Sequence, residues 1–118
     1  LRQALYLARV KYGAHAMPPL QALELGTWRA AELLGRKDIG RIAIGYCGDC
    51  ALFPVEDLFA NGCENPIDAL LICHPRQVCD LVVGGNIRVE NGSLSCLNLE
   101  ELMQTHRDRA AQIHRSLN

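Results

Sequence analysis

The sequence predicts an α+β chain in which helices at both ends enclose a middle segment of short strands. Residues 1–12 and 97–117 repeat apolar side chains at three- and four-residue intervals, the period of an amphipathic helix. Residues 78–90 instead form an apolar run and an alternating run that meet at Gly84-Gly85, a dipeptide typical of hairpin turns. The length of 118 residues and the hydrophobic content of 49% fit one globular unit with a core.

Composition and charge argue against several classes of partner. Lysine plus arginine number 12 and aspartate plus glutamate 13, which gives a formal net charge of −1. This balance creates no field that attracts nucleic acid or an anionic membrane surface, and no apolar run approaches the roughly 20 residues of a membrane span. We therefore expect a cytoplasmic protein with no nucleic-acid and no membrane partner. The chain opens on Leu1 within a helical pattern and shows no signal peptide, so we expect a segment of a longer protein.

The front third predicts two helices. Residues 1–12 form one apolar stripe and end at Gly13, a residue type that commonly follows a helix. Residues 20–34 predict the second helix, which Pro18-Pro19 can open because a missing amide hydrogen costs nothing there. The apolar side chains of this second helix cover more than one stripe, so it needs neighbours on most sides. A lone domain of this length supplies few neighbours, which again indicates a larger parent.

The middle segment predicts four strands and one short helix. The strands are expected over residues 41–44, 50–55, 78–83 and 86–90. The helix begins at Pro66, with Asn65 as its N-cap, and runs to about Cys73. Asn91-Gly92 marks a further turn. One hairpin of two short strands is not a stable sheet, so we expect partner strands that need not belong to this segment.

Residues 97–117 predict the last helix. Asn98 is its N-cap, and Glu101 stands three residues later, at the spacing of a capping box. One face is apolar and the opposite face is charged, and His106 lies on the apolar face, where we expect it to be packed. This pattern is typical of a terminal helix docked on a larger body.

Cys47 and Cys50 form a C-x-x-C pair, which is the first feature that suggests chemistry. Two thiolates at this spacing can face one zinc ion, and a structural site needs two more ligands. The other candidate ligands are Cys63, Cys73, His74 and Cys79. The sequence has no second C-x-x-C pair, so the alternative interpretation is two cysteines where a loop enters a strand. A self-contained zinc-binding module on Cys47 and Cys50 stays open as a hypothesis.

The remaining chemistry-bearing residues form no catalytic motif. The histidines His15, His74, His106 and His114 show none of the spacings of metal sites. The serines lack a G-x-S-x-G context, and Gly84-Gly85 is not followed by a helix that could bind phosphate. We therefore predict no catalytic, cofactor-binding or metal-ligating residue in this segment, and reduced thiols at all six cysteines.

The order of four stretches carries a family resemblance. The stretches TWRAAELLGR, DIGRIAIGYCGDCALF, NPIDALLIC and HPRQVCDLVVGGNIRVENG follow one another. This order resembles the C-terminal end of the amidohydrolase superfamily, in its cytosine/guanine deaminase and chlorohydrolase branch, and most of all the 8-oxoguanine deaminases of that branch. Asp49 matches the family pattern, but Tyr46-Cys47 and Cys50 depart from it. The resemblance therefore implies that the C-x-x-C pair is incidental.

The resemblance implies a parent fold, a cofactor and partners. The fold is a (β/α)8 barrel with a composite β-sandwich built from both chain ends. Residues 1–37 would be C-terminal barrel helices, residues 38–96 sandwich strands, and residues 97–118 a C-terminal helix. The cofactor is a zinc ion whose ligands precede Leu1 and whose bound water attacks a ring carbon that bears an amine. The partners are the upstream barrel of the same polypeptide, a small heterocyclic substrate and a second copy in a homodimer.

These implications give a functional expectation. We expect the C-terminal part of a zinc-dependent enzyme that deaminates a purine-like N-heterocycle of the 8-oxoguanine or guanine type. The segment itself would be structural, since the family's catalytic groups precede it. An aminohydrolase or chlorohydrolase of triazine-like substrates is the alternative within the branch, and the zinc-binding module is the alternative from another class.

Overall fold

The computed structural model describes residues 1–73 and 75–116. Its elements are α1 Arg2–Tyr12, α2 Pro19–Leu25, α3 Trp28–Leu33, β1 Cys50–Leu52, α4 Pro66–Asp68 continued by a π-helical turn Ala69–Cys73, β2 Asp80–Val83, β3 Asn86–Glu90, β4 Ser93–Leu94 and α5 Leu99–Ser116. Helices therefore flank a strand-rich middle, as the α+β pattern predicts. No helix within these two described ranges is both long enough and apolar enough to cross a membrane.

The four strands form one antiparallel sheet in the order β1-β2-β3-β4. Strand β1 pairs with β2, with Cys50 opposite Val82. Strands β2 and β3 are the predicted hairpin, whose turn residues Gly84 and Gly85 have φ angles of 57° and 75°, a region that glycine enters without steric cost. The hairpin register shifts at a bulge between Leu81 and Val82. Both outer partners of the hairpin, β1 and β4, come from this chain itself.

Strand β4 was not predicted, and two other strands are shorter than predicted. Asn91 and Gly92 have φ angles of 49° and 76°, so the predicted turn is a second hairpin connection, between β3 and β4. A strand of two residues is too short to show an alternating pattern. Strands β1 and β2 occupy less of the chain than the predicted ranges 50–55 and 78–83, because their mutual pairing spans three residues of each.

Residues 41–44 do not form a strand, so that prediction is wrong. Ile42 and Ile44 are 94% and 105% exposed, and the chain turns where the Tyr46 amide donates to the Ala43 carbonyl at 3.1 Å. The alternation of this stretch fits a half-buried strand, but a strand forms only where a neighbouring backbone pairs with it. In the part of the chain that the structure describes, no strand lies beside it.

The predicted helix over residues 20–34 is interrupted at Gly26 and Thr27, which separate α2 from α3. The Thr27 hydroxyl donates to the Leu23 carbonyl at 3.1 Å, and this side chain thereby satisfies a group at the end of α2. A Cβ atom at Gly26 would lie 2.8 Å from Cδ1 of Leu1. The start of α1 therefore packs directly on the break, a contact that helical periodicity cannot reveal.

The core lies between α1, α2 and the π-helical turn. Leu5 and Ala22 are fully buried, and Leu71 is 6% exposed. Partly buried apolar residues pack around these three, namely Met17, Leu23, Ile67, Leu70 and Ile72. The core is small for the chain, because many of its large apolar side chains face outward.

The helix that begins at Pro66 is present as predicted, but it ends as a π-helical turn. The Asn65 side chain caps it by accepting a backbone amide hydrogen at 2.9 Å. Arg2 Nε donates to the Leu71 carbonyl at 2.7 Å, and the Tyr6 hydroxyl donates to the next carbonyl at 3.4 Å. Both carbonyls lie in the last turn of the helix, where backbone acceptors have no partner within the helix, and α1 supplies donors for them.

Helix α5 begins after Asn98, whose Oδ1 accepts the Glu101 amide hydrogen at 3.3 Å, as the predicted cap requires. None of the 18 residues of α5 is buried. The large apolar residues of its stripe are 50 to 60% exposed, namely Leu99, Leu102, Met103 and Ile113. His106 is exposed as well, so it is not packed within this chain as was expected. The predicted end of the helix at Leu117 lies outside the described residues.

Candidate functional site

Cys47 and Cys50, the C-x-x-C pair, lie in two different surroundings. Cys47 belongs to the loop before β1, where its amide donates to the Asp38 carbonyl at 2.7 Å and its thiol to the Asp38 carboxylate at 3.4 Å. Cys50 is half-buried and opens β1 opposite Val82. One cysteine therefore anchors a loop and the other starts a strand, which is the arrangement of a strand entry.

Asp38 organises the loop through an ion pair with Arg36. Arg36 Nε and Nη2 contact the two carboxylate oxygens at 2.6 and 2.7 Å, and the hydrogen bond from Arg36 holds the pKa of Asp38 well below its usual range. The pKa of the Cys47 thiol is raised, first by its hydrogen bond to Asp38 and then by desolvation. A thiol kept protonated beside a carboxylate is a poor nucleophile and a poor metal ligand.

No motif in the sequence predicts this cluster of Arg36, Asp38 and Cys47. The only local trace of the cluster is the Arg36-x-Asp38 spacing. Cys47 reaches Asp38, nine residues before it in the chain, only because the loop folds back on itself. The ion pair is about half exposed on both sides, so we expect it to order the loop more than to stabilise the fold.

Asp49 ties the entry of β1 to the hairpin. Its Oδ1 accepts the amide hydrogen of Gly84 at 2.7 Å, across 35 residues of sequence. Asp49 also lies directly before the first residue of β1. Its carboxylate therefore acts as a backbone clamp between two ends of the sheet, and this position explains an acidic residue there without any role in chemistry.

The residues present do not fit a zinc ion. Within residues 1–73 and 75–116, no group of three or more His, Cys, Asp or Glu side chains could hold a metal, whereas protein zinc sites use at least three such ligands. All six cysteines are free thiols. Of the four additional candidate ligands, His74 lies outside the described residues.

A cavity of about 750 Å³ lies between the helices and the sheet. Its lining is mostly apolar and includes Leu1, Leu23, Ile42, Phe53, Leu70 and Leu71. Arg76 also lines it, but the Arg76 guanidinium is paired with the carboxylate of Asp57. Binding pockets for small molecules combine an apolar wall with several convergent polar groups. This cavity has the apolar wall and the character of a packing interface.

Large apolar side chains are also exposed on the outer surfaces of the helices. Val10 on α1 is 87% exposed and Leu33 on α3 is 90% exposed. Single exposed apolar residues are common, but large exposed apolar surfaces usually mark contact with more protein. Together with the apolar stripe on α5 and the apolar cavity, these exposed side chains indicate surfaces that pack against more protein on several sides of the chain.

Comparison with known sequences gives consistent matches. The model of the amidohydrolase family matches residues 1–93. The chain is 42% identical over 112 residues to an 8-oxoguanine deaminase from Pseudomonas aeruginosa, across 95% of this chain and 25% of that protein. It is 28% identical over 106 residues to a 5-methylthioadenosine/S-adenosylhomocysteine deaminase from Thermoanaerobacter pseudethanolicus, across 88% of this chain and 25% of that protein. The chain thus spans about a quarter of the length of these relatives.

Comparison with solved structures agrees. An adenosine deaminase from Xanthomonas campestris with bound zinc superimposes with a TM-score of 0.89 at 25% identity, over 97% of this chain and 27% of that chain. An atrazine chlorohydrolase from Arthrobacter aurescens TC1, complexed with zinc, superimposes with a TM-score of 0.76 at 26% identity, over 89% of this chain and 25% of that chain. Both structures thus contain the arrangement of helices and strands described above.

Proposed function

Because the chain belongs to the amidohydrolase family, we propose that it is the C-terminal part of a zinc-dependent hydrolase that deaminates a purine-like N-heterocycle. The proposed substrate is of the 8-oxoguanine or guanine type. The observation that carries this proposal is the 42% identity to an 8-oxoguanine deaminase, which extends over 95% of this chain. The other matched deaminases support the same reaction class, removal of an amino group by water.

The proposed parent fold is a (β/α)8 barrel with a composite β-sandwich. In this proposal, residues 1–37 are the C-terminal barrel helices, residues 38–96 supply sandwich strands, and residues 97–118 form a C-terminal helix. The exposed apolar side chains and the 750 Å³ cavity support it, because such surfaces need covering layers.

The segment has a structural role in this proposal. The described residues supply no zinc site, so the zinc ligands, the groups that move protons and the substrate contacts would belong to the remainder of the polypeptide. Zinc as the metal is supported by its presence in the matched structures. The homodimer and the cytoplasmic location stay predictions.

A triazine-type substrate is the second candidate. The observation behind it is the superposition on atrazine chlorohydrolase, with a TM-score of 0.76 at 26% identity. The two candidates share one fold and differ in the substrate that the rest of the protein accepts.

The test is an assay of the full-length protein with 8-oxoguanine, guanine, 5-methylthioadenosine, atrazine and hydroxyatrazine, with release of ammonia, of chloride or of the alkylamine as the readout. We expect the highest kcat/KM with 8-oxoguanine or guanine, loss of activity on chelation and recovery with zinc. Turnover of the triazines alone would replace the proposal with the triazine candidate. An absence of turnover with all five compounds in zinc-loaded protein would contradict both.

The zinc-binding module on Cys47 and Cys50 is tested by metal analysis of the purified protein. We expect the zinc content to be equal in the wild type, in Cys47→Ser and in the control Cys96→Ser. A stoichiometric zinc ion that is lost only in Cys47→Ser would restore the module hypothesis.

A further inference from the structure

Helix α5 has a seam of side chains that stays uncovered among residues 1–73 and 75–116. None of the 18 residues of this helix is buried. The seam follows alternating four- and three-residue intervals along one face of the helix and consists of Leu99, Met103, His106, Ala110 and Ile113. This spacing is the repeat with which one helix packs along another. The seam is therefore shaped for a facing helix.

The middle of the seam is concave. Leu102, Met103, His106 and Arg107 line a depression of about 360 Å³, and Leu102 and Met103 are each about half exposed. In paired helices, a seam side chain of one helix inserts into a hole that four residues of the other helix form. The depression is such a hole, so the surface of α5 can receive a side chain from the facing helix.

The charges of α5 change sign along its length. Glu100 and Glu101 lie in its first turn. Arg107 and Arg109 lie at its middle, where Asp108 separates them. The ion pairs of the described residues all lie before this helix in the chain. The acidic start and the basic middle are therefore available to the charges of a partner.

The order of these charges favours a second copy of the same helix, turned end to end. Glu100 and Arg107 lie on the same flank of the seam, seven residues apart, and a rise of about 10 Å keeps them from pairing within one helix. Antiparallel packing of two copies brings Glu100 of each beside Arg107 of the other, and the two-fold axis makes this contact twice. In a parallel pair this flank faces the flank of Leu102 and Arg109, which has no cation level with Glu100.

We propose that α5 is the contact surface of a homodimer, in which a second copy of the full-length protein lays its own α5 antiparallel along the seam. The inference rests on the larger parent protein proposed above and is independent of its substrate. A helix of 18 residues offers a strip about 27 Å long and about 10 Å wide. That strip is smaller than the roughly 800 Å² per partner of a standard interface, so we expect a dimer that dissociates on dilution.

Sedimentation equilibrium of the full-length protein tests the dimer. We expect a mass that rises from one copy to two with concentration. Met103→Glu places a charge in the centre of the seam and should give a monomer at every concentration, with an unchanged circular dichroism spectrum. Gln112→Glu, on the opposite face of α5, is the matched control and should leave the dissociation constant unchanged.

Three outcomes of this experiment would overturn the proposal. They are a wild-type protein that stays monomeric, a Met103→Glu variant that dimerises as the wild type does, and a Met103→Glu variant whose melting temperature falls while its mass is unchanged. The last result would show that the same polypeptide covers the seam. An active monomer would contradict this inference and leave the proposed function standing, whereas an inactive dimer would contradict the proposed function alone.

Charge reversal tests the antiparallel order. Glu100→Arg and Arg107→Glu should each raise the dissociation constant about tenfold, because symmetry turns two attractive contacts into two repulsive ones. The double variant should regain the wild-type value, and since these side chains cannot meet within one helix, the recovery reports a contact between copies. Glu101→Arg makes the same charge change on the far face of the first turn and should have no effect. A double variant that stays weak would overturn the antiparallel pairing.

Discussion

The α1–α2 layer and helix α5 have the same kind of sequence and opposite surroundings. Helix α1 has an apolar stripe, and its Leu5 is fully buried against Ala22 and Leu71. Helix α5 also has an apolar stripe, but none of its 18 residues is buried. The comparison teaches that an amphipathic pattern predicts a helix and the face that will be covered. It does not say whether the cover lies within the same segment.

Local interactions are what stabilise α5 within the described residues. Beyond the Asn98 cap, Gln104 donates to Asp108 at 3.0 Å, and Arg107 donates to Gln104 at 2.8 Å. Such pairs contribute about 0.2–0.5 kcal/mol each, and most of the stability of helices in proteins comes from packing of their apolar face. We infer that α5 gains most of its stability from packing in the parent protein.

The largest expected effect tests the buried side of the comparison. Leu5→Ala should lower the free energy of unfolding of the full-length protein by about 2–5 kcal/mol, because it leaves a cavity in the core. Leu7→Ala, at a site on the same helix that is 67% exposed here, should change it by less than about 0.5 kcal/mol if that face stays exposed. Urea unfolding measures both values. A cost at Leu7 equal to that at Leu5 would show that the parent protein covers the second face of α1 as tightly.

The next prediction concerns the ion pair of Arg76 beside the helical layer. The Arg76 side chain is 3% exposed and contacts the carboxylate of Asp57. The hydrogen bond from Arg76 lowers the pKa of Asp57 in the folded state, so the stabilisation is present above the pKa of an unfolded aspartate, about 3.9. It is lost as the pH falls through the folded pKa, because the unfolded chain then binds more protons.

Arg76→Met should therefore lower the melting temperature at pH 7, and the difference from the wild type should narrow as the pH falls below about 4. The exposed Arg88 on β3 is the matched control, and Arg88→Met should show little change at either pH. A difference at Arg76 that is constant across the pH range would assign its role to packing of the side-chain stem.

The smallest expected effect tests the local side of the comparison. Asn98→Ala should cost α5 about 1 kcal/mol of helix stability, because the Glu101 amide loses its cap. Asn98→Asp keeps the accepting oxygen and should preserve the stability. Amide hydrogen exchange in the first turn of α5 reports both. Equal protection in Asn98→Ala and the wild type would show that packing, and not the cap, controls this end of the helix.

Much of the fold was predictable because its signals are local. The Asn65 and Asn98 caps and the Gly84-Gly85 turn depend on atoms within a few residues, and the structure contains each of them. The resemblance to the amidohydrolase superfamily, based on the order of such local stretches, is confirmed at the level of the family. The wrong strand over residues 41–44 shows the limit, since its sequence alternates but no strand among the described residues pairs with it.

The candidate site was less predictable from the sequence. The C-x-x-C spacing drew attention to Cys47 and Cys50, but the sequence could not show that Cys47 binds Asp38 or that Cys50 opens a strand. The hydrogen bond from the Gly84 amide to the Asp49 carboxylate had no sequence signal, because it joins positions that lie 35 residues apart. Spacing along a chain reports proximity only within one regular element.

The sequence by itself determined the local elements of this protein: where chains turn, where helices are capped, which faces are apolar, and which family shares that order. Only the tertiary structure decided the break at Gly26, the π-helical turn and the pairing partners of the hairpin. The physical reason is distance along the chain. Arg2 donates to the Leu71 carbonyl across 69 residues, and the side chain of Leu1 packs against Gly26. Such atoms meet only when the whole layer packs.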